Sequence, residues 1–213
     1  MIISPEIDKF KEFSKHVLKW EGKTSKDPKD RAAKCYPNGI HTNKGVTYCT
    51  FKEKAAALGI TPVTHDRFLK LTDAEVRKFI YDYYTKDNFN SLPDAAGLAL
   101  TEAKWLSGNY VWSNAIDTLK SLGVVGIPAK KSTPAYTIEE KNKILASIKK
   151  VPEATFFDEF FKVRTNFFRS IGKGSQSRFL QGWLNRVNDF KNLKNKLISP
   201  VSGNFFFNLR FIR

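Results

Sequence analysis

Glu21 and Asp30, nine positions apart near the start of this 213-residue chain, are the residues whose types and spacing best suit bond-breaking chemistry. Hydrolysis of a glycosidic bond needs a carboxylic acid that still holds its proton near neutral pH and gives it to the leaving oxygen. It also needs a second group across the bond, to hold water or to balance the developing cation. Glu21 suits the first task. It ends the first helical pattern, where the negative end of the dipole disfavours a second negative charge, and Trp20 with the apolar face beside it could withdraw solvent. Asp30 falls in a polar loop, where it is expected to stay hydrated and ionised, and so to play the second role. Thr42, at the loop's exit, offers a hydroxyl that could orient the attacking water. Taken by itself, a glutamate ending a helix reads more simply as a surface residue.

A second group of reactive types lies in the same loop. Cys35, His41 and Cys49 are three possible metal ligands, but their spacing fits no common zinc module and a fourth ligand is not obvious, so no metal and no organic cofactor is expected. Cys35 with His41 could also form a thiol nucleophile and its base. Two cysteines cannot make a disulfide framework, and a chain made in the cytosol is expected to keep both reduced.

The elements that must position these residues are mostly helical. Ser4 can cap a helix that begins at Pro5, and Ile7, Phe10, Phe13, Val17 and Leu18 form an apolar stripe that ends at Gly22. Thr72-Asp73-Ala74-Glu75 is a capping box before Val76, Phe79, Ile80, Tyr83 and Tyr84. Leu92-Pro93-Asp94 leads into an apolar stretch that stops near Ser107-Gly108, and a further helix is expected over Ser113 to Leu122. The Gly-, Pro- and Lys-rich segment from Gly123 to Pro134 reads as a linker. Beyond it, Thr137 caps a helix containing Ile144, Leu145 and Ile148, and two aromatic helices follow over Phe156 to Ile171 and Gln176 to about Leu197. Their phenylalanines are expected to be core. The stretch from Lys23 to Thr47 is the one clearly non-helical region, and a long irregular segment between helices is usually functional.

Composition narrows the partners. Aromatic residues make up 14% of the chain, enough for a packed core and too many for a disordered protein. No apolar run approaches the roughly 20 residues that a membrane span needs, so no stable membrane insertion is expected. The formal charge of +15 favours polyanionic partners, such as nucleic acid, anionic lipid or a bacterial wall. The cations are spread along the chain and no helix gathers them beside base-reading side chains, which argues against nucleic acid. The start has no basic segment before an apolar stretch, so no signal peptide is expected; synthesis in the cytoplasm is expected, with action on the periplasmic cell wall after release.

Lys19-Trp20-Glu21-Gly22, Asp27-Pro28-Lys29-Asp30 and Thr42-Asn43-Lys44-Gly45-Val46-Thr47 together resemble the opening signature of glycoside hydrolase family 108, the N-acetylmuramidases of phages and bacteria. The spacing from Glu21 to Asp30 is also similar to that of phage-type lysozymes. Arg164, Phe167-Phe168, Ile171 and the run Phe179 to Val187 resemble the family's closing motif, usually described as a peptidoglycan-binding region. The resemblance implies a mainly α, lysozyme-like helical fold with an irregular active-site loop after the first helix. It implies a catalytic region over 1–123 and a helical C-terminal region over 135–198; residues 199–213 read from their own composition as an aromatic, basic tail. It also implies a peptidoglycan hydrolase, of phage or prophage endolysin type, in which Glu21 is the proton donor and Asp30 and Thr42 occupy accompanying positions. The chain departs from the pattern where glycine pairs become Gly22-Lys23 and Ala32-Ala33, and where an insertion from Lys34 to His41 lengthens the spacing between Asp30 and Thr42. In the middle, Leu119 to Gly126 lacks an Asp-Gly pair. Glu102 is a reserve candidate for the second carboxylate. A wall-binding protein without catalysis and a cysteine-type wall peptidase are the rival readings.

Overall fold

Helix α5 (Asp94–Ser107) is the axis of the molecule, and its sequence explains why. Every residue from Ala95 to Ala103 is buried; most are apolar or small, as expected of a central helix, and Glu102 is the charged exception. Its small residues let neighbours close in: a Cβ on Gly97 would lie 2.4 Å from the carbonyl oxygen of Phe89. The structure is a computed structural model that describes residues 8–22 and 24–198. Around α5 pack α1 (Asp8–Trp20), α4 (Asp73–Lys86), α6 (Tyr110–Ser121) and α8 (Glu153–Ile171). The fold is mainly α, and lysozyme-like in its layout. Short helices α2 (Tyr48–Lys54) and α3 (His65–Leu69) follow the loop region; α7 (Ile138–Ile148) packs on α6, and α9 (Ser177–Lys191) packs on α8, followed by α10 (Lys194–Leu197).

The helix starts obey their local chemistry. Thr72 and Thr137 each accept from the backbone three residues on, while Glu75 and Glu140 reach back to the caps, forming two complete capping boxes. In α1 the predicted stripe is the buried face, with Phe10, Phe13 and Val17 in the core and Leu18 half-buried. The expected cap at Ser4, the start at Pro5, the stripe residue Ile7 and the aromatic tail fall outside the described residues. Helix α6 begins at Tyr110, earlier than expected, and α8 begins at Glu153, directly after Pro152. The second aromatic helix ends at Lys191 and is followed by the short α10. The linker segment forms no helix or strand, and α7 starts beyond it at Ile138.

The expected irregular stretch contains a small antiparallel sheet of β1 (Thr24–Ser25), β2 (Thr42–Asn43) and β3 (Val46–Thr47), with Ser25 opposite Thr42 and Thr42 opposite Thr47. The β2–β3 turn puts Lys44 at φ 48° and Gly45 at φ 78°. Two positive φ values make the mirror-image turn that matches strand twist, and glycine takes such a φ without strain. Asn43, buried, ties the hairpin down by donating to the carbonyls of Phe68 and Leu69 at 2.8 and 3.2 Å.

The cysteines differ from expectation. Cys35 and Cys49 form a disulfide between the 3-10 turn Arg31–Cys35 and α2. Their sulfurs are thereby committed, so neither metal ligation nor a free thiol nucleophile is available from this pair. Tyr36 stacks on His65 with ring centres 3.9 Å apart, and His65 Nε2 meets the carbonyl of Ile40 at 2.8 Å, so the inserted segment is anchored at several points.

Candidate active site

Glu21 lies one residue past α1, with its backbone N–H still bonded to the Val17 carbonyl at 3.2 Å. Its side chain is 16% exposed. Oε1 accepts two hydrogen bonds, from the indole Nε1 of Trp105 at 2.8 Å and from Nη1 of Arg186 at 2.6 Å. Oε2 has no hydrogen-bond partner among the described residues and lies under the hairpin turn: a Cβ on Gly45 would stand 2.5 Å from it. Gly45 therefore serves twice, taking the positive φ of the turn and letting the Glu21 carboxyl pack against the backbone where a side chain would collide with it. The expected neighbour, Trp20, points elsewhere. Its indole donates to Asp189 Oδ2 at 2.6 Å, in a cluster with Lys19 and His16, so the apolar wall beside Glu21 comes from Trp105.

Behind Glu21 runs a buried chain of charges. Arg186, 5% exposed, sends Nε to Glu102 Oε1 at 2.8 Å while its Nη1 holds Glu21. Glu102, 2% exposed, faces Arg164 Nη2 at 3.5 Å, and Arg164 Nη1 donates to Ser107 Oγ at 3.0 Å. Burial works against the Glu102 anion, but the guanidiniums of Arg186 and Arg164 outweigh it and hold its carboxyl below the usual range. Burial pulls Arg164 down to about 10, against the pull of Glu102, which leaves it charged at neutral pH. Glu102 is therefore no candidate for the second carboxylate. Enclosed between two arginines, it has no access to a substrate.

Asp30 is exposed and caps the 3-10 turn, accepting from the Ala32 N–H at 2.9 Å. Ala32 and Ala33, which replace a glycine pair of the resembled pattern, lie within that turn. Asp30 lines a groove of about 700 Å³ whose other walls include Thr47, Tyr110, Phe168 and Trp183. Phe168, Trp183 and Phe179 form a stacked row, with successive ring centres 5.2 and 5.8 Å apart. Thr42 sits in β2 with its hydroxyl 3.0 Å from His41 Nδ1, and its strand partner Thr47 is the threonine that lines the groove. Among the described residues no hydrogen bond joins Glu21, Asp30 and Thr42 to one another. The structure sets Glu21 on the interior side of the hairpin turn and Asp30 in the groove.

Local reasoning passed over Trp105, Gly45 and Arg186 as neighbours of the acid. Gly45 and Arg186 stand inside the motifs quoted for the family resemblance, which is the one signal that could have singled them out.

Residues 14–108 match the family described as Glycosyl hydrolase 108. No curated protein matches the chain. A solved structure titled "Structure of Brucella abortus SagA" is similar with a TM-score of 0.62 at 21% identity, over 91% of this chain and 98% of that one. At that identity the likeness is one of fold. It extends past Gly108 to the helices that the family match leaves out.

Proposed function

We propose that the chain is a peptidoglycan hydrolase of the N-acetylmuramidase type that cuts the glycan strand by general-acid catalysis. The observation that supports this most is the setting of Glu21. It is a half-buried carboxyl at a helix end, anchored through one oxygen, with the other packed against Gly45, within the segment that matches Glycosyl hydrolase 108. Glu21 protonates the glycosidic oxygen as it leaves an N-acetylmuramic acid residue. Asp30, exposed in the groove, polarises water or balances the oxocarbenium-like transition state. Thr42 orients that water through the lone pairs of its hydroxyl.

The glycan strand lies along the groove, where half-buried Trp183, backed by the buried ring of Phe168, offers a flat apolar face to a sugar ring. The C-terminal helices thus contribute to holding the wall, and the charge of +15 draws the protein to its anionic polymers. The setting is that of an endolysin, which is made in the cytoplasm and acts on the periplasmic wall after release. The Cys35–Cys49 disulfide suits an oxidising compartment of that kind.

Mass spectrometry of purified sacculi digested with the protein tests this reading. Muropeptides with a new muramic acid reducing end are expected. Products ending in glucosamine, free stem peptides, or an intact wall to which the protein merely binds would each reject it.

A further inference from the structure

We infer that Arg186, on α9, is a positioning residue for the proton donor, and that buried Glu102 holds Arg186 in place. The C-terminal helices then complete the catalytic centre as well as the binding surface. The inference rests on Glu21 being the proton donor. It also goes beyond the matched segment, which ends at Gly108, because both arginines of the network lie outside it.

The geometry assigns each arm of the guanidinium a task. Nε bonds Glu102 at 2.8 Å and Nη1 bonds Glu21 at 2.6 Å, so a single planar fork fixes the acid relative to the central helix α5. The same helix delivers Trp105, whose indole takes the same oxygen of Glu21. With both donors on Oε1, a proton carried by Glu21 resides on Oε2, the oxygen that lies against Gly45. Arg186 and Trp105 thus select which oxygen delivers the proton and in which direction. Arg186 is also the charged side chain bonded directly to Glu21, whereas Glu102 and Arg164 act through it.

The arrangement requires arginine. A lysine ammonium is a point charge without the rigid fork, and it cannot hold both carboxylates at fixed angles. Glu102 is required too: a neutral residue in its place leaves buried Arg164 and Arg186 without a shared counter-charge.

The test compares the full-length parent with E21Q, R186M, R186K and E102Q, each checked for folding by near-ultraviolet circular dichroism. The readout is reducing-end release from solubilised peptidoglycan fragments, resolved into kcat and KM. R186M should lower kcat about a hundredfold, the cost of misplacing a catalytic group by an ångström, while KM stays within about twofold. R186K should recover part of the rate, and E102Q should resemble R186M with a smaller loss. A folded R186M with kcat within about threefold of the parent, alongside an inert E21Q, overturns the role of Arg186 and leaves the proton donor standing. Should R186M not fold, R186K decides: a rate equal to the parent's overturns the inference, and a loss of about tenfold or more supports it. If E21Q turns over like the parent, the proton-donor reading itself fails, a different result from either.

Discussion

The two carboxylates proposed for catalysis are held by opposite means. Glu21 is fixed from within, by a tryptophan of the central helix and an arginine 165 positions away in sequence. Asp30 is fixed by its own stretch of chain: it caps a five-residue 3-10 turn, and the disulfide from Cys35 to Cys49 clips that turn to α2. One acid depends on the global fold, and the other on a local loop that closes over fourteen positions. The difference matches the two chemical tasks. An acid that must keep and then deliver a proton needs a shielded, rigid setting. A carboxylate that must remain charged can stay in water.

Breaking the interior half should cost most. Glu102→Gln removes the counter-charge from Arg164 and Arg186, and unpairing buried ions of this kind costs about 3–5 kcal/mol. Urea unfolding should show a loss of that size, and a change below about 1 kcal/mol would mean that the network is far better hydrated than its burial indicates.

Breaking the local half should cost somewhat less. Replacing both cysteines by serine releases a loop of about 15 residues, worth roughly 3 kcal/mol in the chain-entropy account. The same stabilisation should disappear from the parent in reducing agent. If the double variant is as stable as the parent, and insensitive to reductant, the clip contributes nothing to the loop.

The interior half also carries a pH signature. Burial lowers His16 to about 4 from its usual 6.5, with Arg186 adding to that effect and Glu102 and Asp189 opposing it. A histidine that resists protonation when folded binds fewer protons than the unfolded chain between those two values. Stability is therefore complete above about pH 6.5 and declines as pH falls toward 4, by about 3 kcal/mol in total. His16→Gln should flatten that part of the stability profile. A parent whose stability is constant between pH 6.5 and 4 would contradict the burial of His16.

The smallest stability effect is expected where the two halves meet. Gly45→Ala places a Cβ 2.5 Å from Glu21 Oε2 on a backbone at φ +78°, which costs about 1 kcal/mol for the backbone alone. Its thermal midpoint should shift by only a few degrees. Its rate of glycan cleavage should fall far more than that shift suggests. A variant with parental activity would place the working oxygen of Glu21 elsewhere.

The comparison also separates what could be read from the sequence. Thr72 with Glu75 and Thr137 with Glu140 were legible as capping boxes because both members of each pair lie within one turn. The stripe Phe10, Phe13 and Val17 was legible for the same reason: helical periodicity is a local property. The hairpin was not, because Lys44 is an unusual residue at positive φ and two-residue strands are too short to alternate. Trp20 was paired with Glu21 by adjacency, yet consecutive residues at a helix end diverge, and Trp20 turned to Asp189. Arg186 lay inside a quoted motif, but nothing local tied it to Glu21. No periodicity connects residues 21, 102 and 186; they meet because α1, α5 and α9 pack together, and that is a property of the assembled core.

The central claim is that Glu21 donates the proton, and the rate of reducing-end release from purified peptidoglycan by Glu21→Gln tests it most directly. The substitution keeps shape and hydrogen-bonding capacity while removing the acid. The rate should fall by 10²- to 10⁴-fold with the fold intact. A folded Glu21→Gln protein that releases reducing ends at the parental rate would contradict the account.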